Sequence, residues 1–219
     1  ELDYQLSGGP IAFAAVFEYH EQDYLLKPDQ RRIDSDNEVP GAEIFINGSA
    51  RQGGGDRSRT SVGFEVLLPV HPKLEVTAAL RSDEYDDDSS AVGRRQSAMI
   101  NFAYRPNDDF LLRGGAGESF RAPDMHYVYA GSSSYFTSVT DYYQCYATGV
   151  PSFQACDNSS TIKGRFQGNT MLEEESGENY YLGFVWDVTE GLSFTMDAFH
   201  VKLEGAVTNL DVQAIANRE

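Results

Sequence analysis

The sequence predicts an all-β fold, an antiparallel meander of about eight strands from a transmembrane β-barrel, with long extracellular loops. Apolar residues alternate with a period of two along most of the chain, the mark of half-buried strands. The connections alternate in length: short turns at residues 7–10, 69–73, 105–109 and 187–191, long ones at 27–55, 83–93 and 120–172. Outer-membrane barrels sort their loops this way, into tight periplasmic turns and long extracellular loops, whereas a soluble sandwich has no reason to. No apolar run reaches the ~18 residues of a transmembrane helix, but barrel strands need only ~9–11 alternating residues.

The expected strands are 2–6, 11–25, 57–68, 73–85, 94–105, 110–119, 174–187 and 192–204. In the second, Ile11, Phe13, Ala15, Phe17 and Tyr19 share one face, and Ala12, Ala14, Val16, Glu18 and His20 the other. In the third, Val62, Phe64, Val66 and Leu68 oppose Ser61, Gly63, Glu65 and Leu67. In the fourth, Leu74, Val76, Ala78 and Leu80 oppose Glu75, Thr77, Ala79 and Arg81; in the fifth, Ala98, Ile100, Phe102 and Tyr104 oppose Ser97, Met99, Asn101 and Ala103. The sixth carries Gly114, Gly115 and Gly117 with no helix after them. They make no phosphate cradle and read as a bend or a site of close strand packing. In the seventh, Leu182, Phe184 and Trp186 oppose Tyr181, Gly183, Val185 and Asp187. The second faces are small or polar, as in strands with lipid outside and a lumen inside, although an antiparallel sheet with one wet face gives the same pattern. Phe17, Tyr19, Tyr85, Tyr104, Tyr180, Tyr181 and Trp186 cap the strands and fit interfacial girdles, though aromatics are also common in strands generally.

The formal net charge is -17, from 34 acidic against 17 basic residues. Phosphate backbones and anionic lipid surfaces both require a basic face, so the charge argues against nucleic acid as a partner and against peripheral headgroup binding. The acidic runs 34–38, 83–88 and 173–175 read as solvated loop tips rather than cation sites. Residues 27–55, rich in charge and ending in Gly53-Gly54-Gly55, read as a mobile loop. Catalysis has little support. The four histidines show no HExxH spacing, G-x-S-x-G is absent, and the paired carboxylates sit in charge runs where nothing would separate their pKa values. No catalytic residue, metal site or cofactor is expected. Asn47-Gly48-Ser49 and Asn158-Ser159-Ser160 match the glycosylation pattern at a frequency expected by chance.

A loop of roughly fifty residues is uncommon in a compact domain unless it is functional or disordered. The stretch 120–172 concentrates Tyr127, Tyr129, Tyr135, Tyr142, Tyr143 and Tyr146 with Phe136 and Phe153. Tyrosine supplies rigid amphipathic contact area at low entropic cost, which suits recognition of sugars or siderophores. The alternative is a loop that buries its own aromatics. Lys163 and Arg165 would face an anionic ligand or balance local acids.

Residues 110–123, FLLRGGAGESFRAP, and residues 168–183, GNTMLEEESGENYYLG, together resemble the barrel domain of TonB-dependent outer-membrane receptors. Segments 9–24 (GPIAFAAVFEYHEQDY), 61–70 (SVGFEVLLPV), 74–86 (LEVTAALRSDEYD), 99–106 (MINFAYRP) and 192–207 (LSFTMDAFHVKLEGAV) resemble further family strands, in family order. The usual Pro after Gly168-Asn169 is replaced by Thr170.

The resemblance implies that residues 1–219 are part of a barrel of about 22 strands. The plug and the terminal strands would be missing, and 120–172 would be a long extracellular loop. No signal segment precedes Glu1, so a removed signal or an internal fragment is expected. The intact receptor would sit in the outer membrane of a Gram-negative bacterium, contact its lipid, and import a siderophore, vitamin or glycan. Energy would come from the TonB complex through the missing plug region. The alternative is a secreted β-sandwich that binds carbohydrate. Within the corner Phe120-Arg121-Ala122-Pro123, Pro123 fixes its own φ and biases Ala122 away from the helical region. Phe120 would anchor the turn, and Arg121 would pair with an acid, the nearest in sequence being 173–175. In a chain exported to an oxidising space, Cys145 and Cys156 read as a disulfide rather than as zinc ligands, since zinc takes four.

Overall fold

The computed structural model of the chain describes residues 4–44, 48–89, 91–150 and 152–217, without the side chain of Phe153. Asn47 of the first glycosylation pattern lies outside them. The chain forms two compact units, one of Glu1–Gln22, Asp56–Pro123 and Met171–Ala206, the other of Asp23–Gly55, Asp124–Thr170 and Val207–Glu219.

The first unit is built on a seven-stranded sheet. Its strands are β3 (Ala12–Leu26), β4 (Gly53–His71), β5 (Leu74–Asp87), β6 (Arg94–Asn107), β7 (Phe110–Arg121), β10 (Glu175–Thr189) and β11 (Leu192–Glu204), in the order β11-β10-β7-β6-β5-β4-β3, the end of β3 from Asp23 and the start of β4 up to Gly55 counting with the second unit. Sequence neighbours pair throughout, except that β7 pairs with β10. The expected first strand 2–6 does not join this sheet. Among the described residues it survives as β1 (Gln5–Leu6), paired with β2 (Gly9–Pro10) in a minimal hairpin. Turn residues and the missing Pro10 N–H stop a ladder there. Instead the Gly8 amide donates to the Pro69 carbonyl at 3.0 Å and the Ser7 hydroxyl to the Val70 carbonyl at 2.5 Å. A Cβ on Gly8 would meet the His71 carbonyl oxygen at 2.5 Å, so only glycine lets the backbones approach this closely.

Register sorts the side chains. Residues paired across a sheet share a face. One row reads Val66, Ala78, Ile100, Ala116, Tyr180 and His200; the next reads Leu68, Val76, Phe102, Gly114, Leu182 and Ala198. The opposite face carries Leu67, Thr77, Asn101, Gly115, Tyr181 and Phe199, then Glu75, Ala103, Arg113, Gly183 and Asp197. The alternation expected from sequence therefore lines up across strands into one continuous apolar face and one mostly polar face. Phe64, Leu80, Ile100, Leu182, Trp186, Phe194 and Met196 on the apolar face are all exposed. An apolar surface this wide marks contact with a membrane or a partner rather than with water.

Tyr104, Phe110, Phe184, Trp186 and Phe194 form an aromatic band on that face beside the short turns. Phe110 stacks on Phe184 at 5.7 Å, and Phe184 lies 5.9 Å from Phe194. Two residues expected in girdles fall elsewhere. Tyr181 is on the polar face, with its hydroxyl 3.3 Å from Asn101 Oδ1, and Tyr85 joins the charged cluster described below. The triple glycine of β7 serves close packing: a Cβ on Gly115 would sit 2.0 Å from Asn101 Oδ1.

The second unit is more ordered than the expected loops. It contains α1 (Gln30–Asp36), α2 (Met125–Tyr129), the hairpin β8 (Ser133–Thr140)/β9 (Ser159–Phe166), α3 (Tyr142–Ala147) and α4 (Val212–Ala216). An aspartate caps the N-terminus of every one of these helices: Asp29, Asp124, Asp141 and Asp211 accept from backbone amides of the first turn. Met125, Val128 and Tyr129 form its core, with Tyr24 packed against them. Gly53-Gly54-Gly55, expected to end a mobile loop, instead opens β4. A Cβ on Gly53 would lie 2.1 Å from the Gly131 nitrogen, and one on Gly55 2.5 Å from the Tyr129 ring. These glycines admit neighbouring chain; they do not loosen it.

Candidate functional site

The corner 120–123 is the start of the candidate ligand loop. Register places Arg121 opposite Glu175, and the Arg121 Nε donates to Glu175 Oε2 at 2.6 Å. Phe120 meets the Tyr85 ring edge-on at 6.2 Å, and the Arg57 guanidinium lies over the same Tyr85 ring at 5.8 Å. Pro123 is fully buried, and its carbonyl accepts from Arg57 Nη1 at 2.8 Å. Arg57 Nε donates to Asp87 Oδ2 at 2.5 Å, while Asp87 Oδ1 accepts from the Ser89 amide at 2.8 Å and from its hydroxyl. Both members of the Arg57–Asp87 pair are buried, with side-chain exposures of 6% and 0%. Arg57 Nη2 is buried with no partner among the described residues, which costs ~1–3 kcal/mol. The structure thus closes a circuit, Phe120–Tyr85–Arg57–Pro123, that the sequence reading did not contain. Its one sequence signal is the basic pair Arg57 and Arg59, two strand residues apart, set against the acidic run 83–88, legible only once register is known.

The polar face continues this charge pairing. Glu18 accepts from Arg81 at 2.6 Å, Arg81 pairs with Asp83 at 3.0 Å, and the Ser61 hydroxyl donates to the buried Asp83 at 2.5 Å. Arg95 reaches Glu174 at 2.5 Å. The acidic runs are therefore not all solvated tips. Asp36, Asp83, Asp87 and Glu175 are each buried against an arginine, because facing guanidinium groups offset the desolvation that would otherwise keep them outside.

The candidate ligand residues divide among different surroundings. Tyr129 is buried in the α2 core. Tyr127 packs edge-on against His126, which stacks on Phe166 and has Nδ1 2.7 Å from the Tyr24 hydroxyl. Tyr135 lies across Gly164, where a Cβ would meet its ring at 2.4 Å. Lys163 and Arg165 pair with Phe136 and Ser134, so they project from the opposite face of the hairpin to Tyr135. Arg165 lies 3.9 Å from Asp36, whose carboxyl the Arg51 hydrogen bond holds below the usual carboxylate range. Tyr142 is half-buried, whereas Tyr143 and Tyr146 are 82% and 83% exposed on α3. Cys145 and Cys156 form a disulfide across 11 positions, fixing α3 to the chain before β9. Within this segment a self-packed interior at Tyr129 lies alongside the exposed tyrosines Tyr143 and Tyr146. Among the described residues no group of three or more His, Cys, Asp or Glu side chains could hold a metal.

Residues 1–218 match the family model of the TonB dependent receptor-like β-barrel. The chain belongs to this family. Its members are transport receptors, not enzymes, and reside in the Gram-negative outer membrane, which gives the chain its localisation. The chain is 26% identical over 183 residues to the probable TonB-dependent siderophore receptor PirA of Acinetobacter baumannii, covering 74% of this chain and 22% of that protein. The crystal structure of PirA superposes with a TM-score of 0.60 at 20% identity, covering 92% of this chain and 25% of PirA. A mutant of the ferric enterobactin receptor PfeA of Pseudomonas aeruginosa, solved with enterobactin, superposes with a TM-score of 0.60 at 18% identity, covering 88% and 24%. The chain thus spans about a quarter of the length of these relatives, and their likeness supports the barrel fold. The carbohydrate-binding sandwich has no support from any of them.

Proposed function

We propose that the chain is part of the barrel wall of a receptor that binds a ferric siderophore and imports it, with energy supplied by TonB through the plug of the intact receptor. The observation that carries this reading is the continuous apolar face across seven strands, set against a polar face of paired charges, in a chain of this family. Apolar residues outward to outer-membrane lipid and charges inward is the division a membrane barrel requires. The siderophore is favoured over a vitamin or glycan because the matched relatives are siderophore receptors.

Residues 120–172 are read as the extracellular ligand loop, within which Tyr127, Tyr135, Tyr142, Tyr143, Lys163 and Arg165 are the candidate contacts. Tyr129 supports them from the core. Uptake of radioiron tests the reading in cells with and without the gene for the intact receptor. Catecholate, hydroxamate and carboxylate siderophores are offered in turn, with cobalamin and an oligosaccharide as separate arms. Uptake of one ferric siderophore is expected to be lost in cells without the gene and lost equally when TonB is removed. Unchanged uptake in every siderophore arm sinks it.

A further inference from the structure

The structure assigns Arg57 a role as the positioning residue of the ligand loop: it fixes the point at which the chain leaves the sheet after β7. The assignment rests on the reading of 120–172 as that loop. Arg57 lies just after the long connection 27–55, its partner Asp87 ends β5 before the connection that follows it, and Pro123 opens 120–172. One guanidinium therefore ties β4 to the end of β5 and to the chain just after β7, all within the first unit. Pro123 has no N–H to anchor it, so its carbonyl is the backbone group by which it can be held. Tyr85 completes the clamp, carrying Arg57 over its face and meeting Phe120 in a T-shaped contact. Asp87 in turn is held by both the amide and the hydroxyl of Ser89. A forked guanidinium can serve Asp87 and Pro123 together, whereas an ammonium is a single point.

The test is hydrogen–deuterium exchange on the intact receptor in nanodiscs, read on peptides covering residues 119–128. Arg57→Lys keeps the charge beside Asp87 and gives up the fork. Exchange at 119–128 is expected to rise about tenfold, the signature of easier local opening. Exchange at 94–107 and the amount of heat-modifiable barrel stay unchanged, which a general loss of stability would not allow. Ser89→Ala removes one of the two Ser89 contacts to Asp87 and leaves Arg57 in place; it gives a smaller rise of about twofold. If Arg57→Lys does not assemble, Ser89→Ala decides. Arg94→Ala, which breaks an exposed pair with Glu84 outside the clamp, is the control and leaves 119–128 unchanged. Unchanged exchange at 119–128 in the assembled variants overturns the assignment. Exchange is measured without ligand. A receptor that binds no ferric siderophore, yet exchanges faster here in Arg57→Lys, refutes the transport reading and keeps the assignment.

Discussion

Arg113 on β7 and Asp197 on β11 form an ion pair across a strand to which neither belongs, with Nη2 2.9 Å from Oδ2. The residue between them in register is Gly183 on β10, and a Cβ there would lie 1.9 Å from Asp197 Oδ1. The glycine is the gap through which the two charges meet. A side chain at this position would separate them, so the identity of one residue on the middle strand decides a contact between its neighbours.

Gly183→Ala is expected to push Asp197 aside and break the pair. The pair itself is worth only ~0.2–1 kcal/mol, since both side chains are near 40% exposed. The remaining cost is steric. Asp197→Ala alone should be mild, and the double variant Gly183→Ala/Asp197→Ala should recover most of the loss. Heat-modifiable mobility of the intact receptor in a double-mutant cycle measures this. Strictly additive losses would show that the two positions do not interact.

Phe13 lies in the exposed apolar stripe of β3, and Ala14 follows it on the alternate face. In the intact receptor Phe13→Arg is expected to impair membrane assembly by ~2–4 kcal/mol near mid-bilayer. Ala14→Arg should be milder. The amount of folded barrel recovered from outer membranes reads the difference, and equal tolerance at both positions contradicts the facing assigned here.

Asp29 caps α1, and hydrogen bonds from the Arg31 side chain and backbone lower its pKa to about 2. A depressed carboxyl pKa contributes stability that is present above the unfolded value and lost as pH falls through the folded one. The cap should therefore hold down to about pH 4 and be lost between there and about pH 2. The carboxyl carbon shift of labelled Asp29 should titrate near that lower limit, and in Arg31→Ala its midpoint should move up. A midpoint at the ordinary aspartate value in the unaltered protein would remove the basis for this.

The sheet was legible because its signal is local: alternation marks most strands and turn residues mark their boundaries, so β11 runs over the very residues 192–204 expected of the eighth strand. The hairpin β8/β9 was not, although Tyr135, Thr137 and Val139 alternate with Ser134, Phe136 and Ser138. Serine and threonine suit turns as well as strands, and an eight-residue strand with five of them gives too weak a pattern. Helices α1 to α4 were missed for their length, five to seven residues, too short to show a helical period. Arg57, Asp87 and Pro123 are far apart in sequence, so no spacing announces them; only the pairing of β4 with β5 brings the first two together.

The Cys145–Cys156 bond closes a short ring from the last turn of α3 to the chain before β9, for which the chain-entropy model gives roughly 2–3 kcal/mol of constraint. Six residues of helix do not stand alone in water. Replacing both cysteines by alanine should speed limited proteolysis within 147–157 while leaving barrel mobility unchanged. Two thiols alkylated without prior reduction in protein matured in the periplasm would refute the bond.

Tyr129 and Tyr143 separate the two uses of tyrosine in the ligand loop. Tyr129 packs on Met125, Val128 and the glycine-admitted backbone of β4, so Tyr129→Ala should cost ~3–5 kcal/mol of local stability. Any loss of binding it causes would be indirect, and would come with faster exchange throughout α2. Tyr143 touches solvent over most of its surface, so Tyr143→Ala should leave exchange across the loop unchanged. If α3 meets the ligand, that same variant should weaken ferric siderophore binding by the intact receptor about tenfold, or ~1.4 kcal/mol. Lys163→Ala/Arg165→Ala tests the cationic face of the hairpin in the same way. Because Asp36 already sits near Arg165, Lys163 should carry the larger share of any anion affinity. Full binding in Tyr143→Ala and in Lys163→Ala/Arg165→Ala would leave the loop as a self-packed cover, with the ligand contacts elsewhere in the receptor.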